Sequence, residues 1–171
     1  MRTKNMAYIA LMAVAVTLCS WISVPMVVPF TMQTFGIFCT LLLLGGRRGV
    51  ITIVLYIFMG MVGLPVFSGF KSGISVIAGP TGGYIIGFAV CGLFYWMCEK
   101  RLNSWVLLAI GNIICYIFVT VWFVLIYANN GKPITFGTAL LTCVVPYILP
   151  DAMKLALAQL VASRLKPHIN V

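Results

Sequence analysis

Long apolar runs, separated by short charged or glycine-rich breaks, dominate the chain and predict an all-α integral membrane protein. No charged residue occurs from Asn5 to Gly46, a run that is too long for one membrane helix of about 20 residues and suits two. Reading the breaks along the whole sequence predicts helices at about 6–24, 33–45, 50–64, 82–98, 104–127 and 148–164. We therefore expect a six-transmembrane-helix bundle that forms a single membrane domain over residues 1–171.

Two of the breaks are more than simple turns. Residues 65–83 are rich in glycine and serine, and a loop of this length in a compact chain is usually a lid or a binding loop. We predict that 65–83 is the outer binding loop. Residues 135–149 contain Gly137 and Pro146, which predicts a short or bent helix. Pro150 then suits the first turn of the last helix, which places Asp151 near the positive end of the helix dipole.

Composition supports a membrane protein and excludes several other classes. The chain is 63% hydrophobic and 8% charged, whereas about 25% of the residues in a soluble domain are charged. A net charge of +9 would suggest nucleic acid for a soluble protein, but here the cations lie between apolar runs, so we expect a lipid bilayer and no nucleic acid. The six cysteines form no CxxC pair and the only histidine is His168, so we predict no metal site.

The positive charges between the predicted helices indicate the orientation of the chain. With six spans, the two ends and every second loop share one side of the membrane. Lys71 and Lys132 fall on the other side, and the first side carries Arg2, Lys4, Arg47, Arg48, Lys100, Arg101, Arg164 and Lys166. Because cytoplasmic loops are enriched in Lys and Arg, both termini are predicted to be cytoplasmic, and the 65–83 loop is predicted to face outward.

A carboxylate and an ammonium, Asp151 and Lys154, stand inside apolar sequence three residues apart. That spacing puts both side chains on nearly the same face of a helix. An ionisable residue within a membrane is expensive and marks a functional site by default. The pair is either a ligand site or a structural ion pair within the bundle. The predicted topology brings it to the outer side together with Gln33, Tyr84 and the 65–83 loop.

Two further features have two interpretations each. Asn112 is an amide in an otherwise apolar helix, and such a group bonds a neighbouring helix or contacts a ligand. In the first helix, a stripe of small residues lets another helix approach closely. The stripe serves either internal packing or the docking of a partner subunit, and it consists of Ala7, Ala10, Ala13 and Thr17.

Five motifs in order along nearly the whole chain resemble the BioY family, the biotin-binding S components of energy-coupling factor (ECF) transporters. They are Val28-Pro29-Phe30-Thr31-Met32-Gln33-Thr34, Leu44-Gly45-Gly46-Arg47-Arg48-Gly49, Gly63-Leu64-Pro65-Val66-Phe67, Gly79-Pro80-Thr81-Gly82-Gly83-Tyr84 and Pro150-Asp151-Ala152-Met153-Lys154. The resemblance implies high-affinity binding of biotin from outside and its uptake across a bacterial cytoplasmic membrane. It also implies an energising module of one transmembrane coupling protein and two ATPase subunits. In that family the aspartate and lysine of the last helix bind the ligand, and here these residues are Asp151 and Lys154.

The chemistry of biotin suits the predicted site. Its ureido ring carries two N–H donors and one carbonyl acceptor, and its valerate chain ends in a carboxylate. Asp151 can accept from a ureido N–H, and Lys154 can compensate that charge or pair with the valerate, while Gln33 and Asn112 offer donors and acceptors. The apolar rings of the ligand can be covered by Phe30, Phe67 and Tyr84. Helix one has no clean Ala-xxx-Ala motif, and the helix after Tyr84 lacks a second cation.

Three other functions are alternatives to that of a biotin S component. The closest alternative is an S component for another small vitamin. An intramembrane enzyme could use Asp151 and Lys154 as acid and base, but the sequence contains no paired carboxylates, HExxH motif or nucleophile–base set. A purely structural membrane subunit does not explain the glycine-rich outer loop. The sequence has no GxxxxGK[ST] motif, so we predict a non-enzymatic binding subunit that needs no cofactor and obtains energy from another protein or a coupling ion.

Overall fold

A computed structural model describes residues 3–26 and 28–168, except the side chain of His168, and shows a helical chain with one short β-hairpin. Arg2, one of the predicted cytoplasmic cations, lies outside the described residues. Within these described residues, two 3-10 turns occupy Ser68–Phe70 and Lys166–His168. The helices and strands, in chain order, are α1 (Thr3–Trp21), β1 (Ser23–Val24), β2 (Phe30–Thr31), α2 (Gln33–Met61), α3 (Ile74–Ile77), α4 (Gly82–Cys98), α5 (Ser104–Asn129), α6 (Phe136–Cys143) and α7 (Val145–Leu165).

The chain reverses direction within α2, at Gly45. The backbone of Gly45 has φ 74° and ψ 174°, a conformation that glycine adopts without the steric cost of a Cβ atom. The side chains of Gln33 and Tyr56 meet at 2.8 Å, although 23 residues of straight helix would separate them by about 34 Å. Two antiparallel segments therefore lie where helices 33–45 and 50–64 were predicted. The predicted basic loop is shorter than expected, because Arg47 and Arg48 already belong to the second segment.

The link between α1 and α2 is a small hairpin, which the sequence did not predict. Helix α1 ends at Trp21 instead of residue 24, because the backbone from Ser23 onward pairs with β2. Ser23 lies opposite Thr31, and Val24 lies opposite Phe30. The hairpin closes one end of the bundle and presents Thr31 to the last helix.

The 65–83 segment contains more regular structure than the predicted loop. It includes α3 and a 3-10 turn, and α4 begins at Gly82 as predicted. The Trp21 indole donates to the Pro65 carbonyl at 2.8 Å, and the Trp122 indole donates to the Gly79 carbonyl at 3.0 Å. The segment is thus fastened near both of its ends to helices of the bundle.

The last two helices correct the prediction for Pro150. Helix α6 is the short helix expected from Gly137 and Pro146, and α7 begins at Val145 rather than at residue 148. Pro146 occupies the first turn, where its missing N–H costs nothing, so Pro150 lies inside the helix. Asp151 is therefore more than one turn from the helix start, beyond the range in which the dipole has its main effect.

The helices bury two apolar clusters and leave a further apolar surface outside. Helix α2 packs against α1, α4 and α7, and α4 packs against α5. Large apolar side chains remain exposed along the outside of the helices, among them Leu18, Ile117 and Leu160 at 51%, 60% and 64% exposure. This exposed surface suits a protein whose solvent is lipid. Among the described residues, α1, α2, α5 and the α6–α7 stretch are long and apolar enough to cross a membrane, and α4 is a shorter apolar helix. Six spans and cytoplasmic termini remain predictions.

Candidate functional site

A cavity lies at the end of the bundle that carries the β-hairpin and the 65–83 segment. Four separate stretches of the chain contribute to it, and the space inside measures about 60 Å³. Both charged and aromatic side chains reach its wall. It is lined by Val28, Pro29, Thr31, Gln33, Thr34, Phe67, Ser68, Lys71, Val76, Thr81, Tyr84, Ile85, Phe88, Tyr147, Asp151 and Lys154. Of the seven predicted ligand residues, the structure brings Gln33, Phe67, Tyr84, Asp151 and Lys154 to this cavity.

Asp151 and Lys154 form a buried ion pair on one face of α7. Lys154 Nζ lies 2.8 Å from Asp151 Oδ1 and donates a second hydrogen bond to the Thr31 carbonyl at 2.7 Å. The residues are 3% and 5% exposed. The same ammonium lies 4.2 Å from the centroid of the Phe30 ring, a distance suited to a cation–π contact. The pair thus ties α7 to the hairpin strand that carries Phe30 and Thr31.

The second oxygen of Asp151 is held from another helix. Tyr116 of α5 donates its hydroxyl to Asp151 Oδ2 at 2.6 Å, a short bond of the kind expected for a charged acceptor. Asn112 lies one helical turn earlier on α5 and is not among the residues that line the cavity. The structure therefore does not bring Asn112, one of the predicted ligand residues, to the wall of this cavity. Sequence reasoning did not single out Tyr116, although its four-residue spacing from Asn112 was a usable signal.

Aromatic rings form the apolar part of the wall. The Tyr84 hydroxyl donates to the Cys143 carbonyl, and the Tyr147 hydroxyl donates to the Val28 carbonyl. Since both hydroxyls are engaged by the backbone, the rings present carbon surface to the cavity. Phe67 is 2% exposed and also lines it. Tyr147 was not predicted.

Phe30 has a different position from the one expected. It does not line the cavity in the described structure. Its ring packs on the Lys154 ammonium and lies near the Tyr147 ring, with 6.3 Å between the ring centroids. Its contacts are thus with residues of the wall, and the covering of a ligand by Phe30 stays a prediction.

Gln33 and Lys71 provide the remaining polar contributions. Gln33 is 6% exposed, and its side-chain nitrogen lies 2.8 Å from the Tyr56 hydroxyl. Lys71 is exposed and lies on the segment that covers the cavity. Sequence reasoning found no second cation near the site, because the residues after Tyr84 are uncharged. The second cation comes instead from the loop.

The small-residue stripe of α1 is divided between two environments. Ala13 and Thr17 are 1% and 7% exposed, so they are buried by other parts of this chain and cannot contact a partner. For these two residues the docking prediction is wrong. Ala7 and Ala10 are exposed, and the docking interpretation remains a prediction for them.

Comparisons with known proteins agree on one family. The model of the BioY family matches residues 1–171. A protein from Pyrococcus horikoshii described as a probable biotin transporter BioY is 32% identical over 167 residues, covering 97% of this chain and 98% of that protein. A biotin transporter BioY from Thermotoga maritima is 38% identical over 153 residues, covering 86% of each chain.

A solved structure has the same fold. It is described as the S-component for biotin from an ECF-type ABC transporter and superimposes with a TM-score of 0.84. The alignment covers 97% of this chain and 92% of that one. At 23% identity, the likeness shows the fold alone.

Proposed function

Because this chain belongs to the BioY family, we propose that it binds biotin in the cavity beside Asp151 and Lys154 and takes part in biotin uptake as the S component of an ECF transporter. The observation that carries the proposal is the unused hydrogen-bonding capacity of the buried pair. Lys154 uses two of its three N–H donors on Thr31 and Asp151. Each carboxylate oxygen of Asp151 accepts one hydrogen bond from the described residues and retains a lone pair.

The ureido ring fits this arrangement. A ureido N–H can donate to Asp151, and the ureido carbonyl can accept the third N–H of Lys154. The ion pair is neutral as a whole, so a neutral ligand group can approach it without leaving a buried charge unpaired. The apolar bicyclic ring would lie against the Tyr84 and Tyr147 rings, which turn carbon surface to the cavity.

The valerate carboxylate needs a different partner. Lys154 is already neutralised by Asp151, so a second anion beside it would not be compensated. Lys71 is an exposed cation that lines the cavity. We assign the carboxylate to Lys71, which places the ureido ring at the deep end of the cavity.

Entry of the ligand requires the cavity to enlarge. Its present space of about 60 Å³ is smaller than the roughly 300–1,000 Å³ of typical ligand pockets. The 65–83 segment covers the cavity between its two anchored ends, and its outward movement would admit the ligand. Closure of this segment over biotin would be the binding step that commits the ligand.

Transport would use a separate energy source. The proposed role is binding and translocation rather than catalysis, and it needs no cofactor. The energising module would consist of a transmembrane coupling protein and two ATPase subunits. Both termini would face the cytoplasm, because the end of the bundle opposite the cavity is rich in cations. These cations are Lys4, Arg47, Arg48, Lys100 and Arg101.

The test is equilibrium binding of radiolabelled biotin to the detergent-purified chain. We expect saturable binding of about one biotin per chain that excess unlabelled biotin displaces. A panel of unlabelled thiamine, riboflavin and pantothenate serves as the control, and these vitamins should not compete. Saturable binding of one of these vitamins, measured with its own radiolabel, together with no binding of biotin would instead identify an S component for another vitamin.

A further inference from the structure

Tyr56 lies behind the cavity wall and contacts Gln33 from the side away from the cavity. Its ring belongs to α2, it is 1% exposed, and it is not among the lining residues. Its hydroxyl lies 2.8 Å from Gln33 Nε2 and 3.0 Å from the Val66 carbonyl oxygen. The phenol therefore connects a cavity residue to the segment that covers the cavity.

The number of donors and acceptors on Gln33, Tyr56 and Val66 determines which group donates in each hydrogen bond. The Val66 carbonyl can only accept, and the Tyr56 hydroxyl has a single proton. If that proton pointed to Gln33, two oxygens would face each other at 3.0 Å with no hydrogen between them. The hydroxyl therefore donates to Val66, and its oxygen accepts from the Gln33 amide. This is the arrangement in which the Gln33 nitrogen, not its oxygen, faces Tyr56.

The orientation of the amide determines what Gln33 offers to a ligand. Its NH₂ group is turned toward Tyr56, and Oε1 diverges from that direction. Within the described residues, no hydrogen bond to Oε1 is formed, although Gln33 lines the cavity. With one N–H bonded to Tyr56, the oxygen is the acceptor that Gln33 offers to a ligand, beside its second N–H.

The Val66 end of this series of hydrogen bonds is also fixed. Val66 is 4% exposed, and its carbonyl also accepts a hydrogen bond from the Ser20 hydroxyl of α1. The ring of Tyr56 meets the Phe67 ring edge-on, with the centroids 5.6 Å apart. Both contacts hold the phenol in place, so the amide orientation is set before a ligand arrives.

We propose that Tyr56 is a positioning residue that locks the Gln33 amide with its carbonyl oxygen toward the cavity, so that this position selects a ligand N–H. The inference rests on the proposed function, in which a ureido N–H of biotin is that donor. The second ureido N–H goes to Asp151. A ligand with an acceptor atom opposite Gln33 Oε1 would meet oxygen against oxygen, and a site built in this way rejects such an analogue strongly.

The experiment compares biotin with its two carbamate analogues, in each of which one ureido N–H is replaced by an oxygen atom. These analogues keep the shape of biotin and change one donor into an acceptor. The dissociation constants of all three ligands are measured with the purified full chain. The dissociation constant of each analogue divided by that of biotin reports how strongly the site discriminates at one ureido position.

Gln33→Ala identifies the analogue whose altered atom faces Gln33, because only that ratio falls when the acceptor is removed. Tyr56→Phe keeps the ring and its contact with Phe67 but frees the amide to turn its N–H toward the analogue. We expect the same ratio to fall by about tenfold in Tyr56→Phe, the equivalent of one hydrogen bond of about 1.4 kcal/mol. The other ratio should stay unchanged.

Two further variants keep the test decisive. Tyr95→Phe removes a hydroxyl that contacts Ser104 at 3.4 Å, away from the cavity, and should leave both ratios at the wild-type values. Gln33→Glu presents an oxygen in either orientation and should keep the rejection of the analogue even if Tyr56→Phe does not fold. Unchanged ratios in folded Tyr56→Phe, or a Gln33→Glu variant that loses the rejection as fully as Gln33→Ala, would overturn the inference. Failure of the wild-type chain to bind biotin would instead reject the proposed function.

Discussion

Lys71 differs from Lys154, the other cation that lines the cavity, because no carboxylate among the described residues neutralises its charge. Lys154 shares its charge with Asp151 at 2.8 Å, whereas the described residues form no salt bridge with Lys71. A carboxylate that enters the cavity therefore finds its electrostatic partner at the loop. The proposed site therefore has two different ends. The Asp151–Lys154 pair forms hydrogen bonds at the deep end, and Lys71 attracts the ligand carboxylate at the mouth.

We expect Lys71→Gln to weaken the binding of biotin and to leave the binding of biotin methyl ester almost unchanged. Because Lys71 is exposed, the loss for biotin should be modest, about two- to fivefold, as for an exposed ion pair. The loss should shrink further at high salt. Lys132→Gln is the matched control, since Lys132 is an exposed cation outside the cavity lining. Equal losses for the acid and the ester would show that Lys71 does not contact the carboxylate.

Single residues were predictable from sequence where local spacing determines their position. Asp151 and Lys154 share a helix, so their separation of three residues was enough to place them together. Tyr116 and Tyr56 reach the site from other helices, and their partners depend on packing between segments far apart in the chain. Spacing in one helix contains no such information, so these residues were found only in the structure.

At the scale of elements, the covering segment rests on a glycine of α2. The Phe67 ring occupies the position where a Cβ atom of Gly60 would lie, and the Gly60 carbonyl accepts the Gly73 N–H at 2.8 Å. A side chain at position 60 and the Phe67 ring cannot both occupy this space. The absence of a side chain at Gly60 thus lets the segment approach closely enough to wall the cavity.

Gly60→Ala should therefore displace Phe67 and weaken biotin binding by about tenfold. Overpacking costs roughly 1–3 kcal/mol when it is not relieved, and moving the loop outward is the available relief because the helix backbone is fixed. The thermal midpoint should fall only slightly. Gly137→Ala is the control, because no atom lies within 4 Å of the added Cβ atom. An unchanged biotin affinity in Gly60→Ala would contradict the role assigned to this contact.

Helices were predictable where one strong signal marked their ends. The two adjacent glycines at 45 and 46 marked the reversal inside α2, since a positive φ is needed at that point. The predicted start of α7 was wrong because Pro146 and Pro150 are both compatible with a first turn, and the sequence alone does not determine which of them occupies it. The β-hairpin was missed because strands of two residues leave no periodic pattern.

At the scale of the whole molecule, the exposed part of the α1 stripe is the candidate contact with an energising module. Ala7 and Ala10 are exposed, and Ala13 is 1% exposed. Small residues at a helix surface let a partner helix approach closely. The overall bundle was predictable from the apolar runs, but the division of the stripe was not, because it depends on where α2 packs against α1.

Ala10→Trp should leave biotin binding by the purified chain intact and reduce uptake in cells that contain the energising module by about tenfold or more, since the indole would block close helix approach. Leu18→Trp, a substitution at a 51% exposed position of the same helix, is the control and should transport normally. Ala13→Trp should destabilise the chain itself, because its site is buried. Normal uptake by Ala10→Trp would exclude this surface as the contact.

The most direct measurement for the account as a whole is the biotin dissociation constant of the folded double variant Asp151→Asn, Lys154→Ala. If the pair were only structural, each single change would leave a buried unpaired charge at a cost of roughly 3–5 kcal/mol, and the double change would restore both folding and binding. If the pair holds the ligand, each single change should weaken biotin binding by about 2–5 kcal/mol. We predict that the double variant folds, as judged by its thermal midpoint, and does not bind biotin. An affinity close to that of the wild-type chain would contradict the assignment of Asp151 and Lys154 to the biotin site.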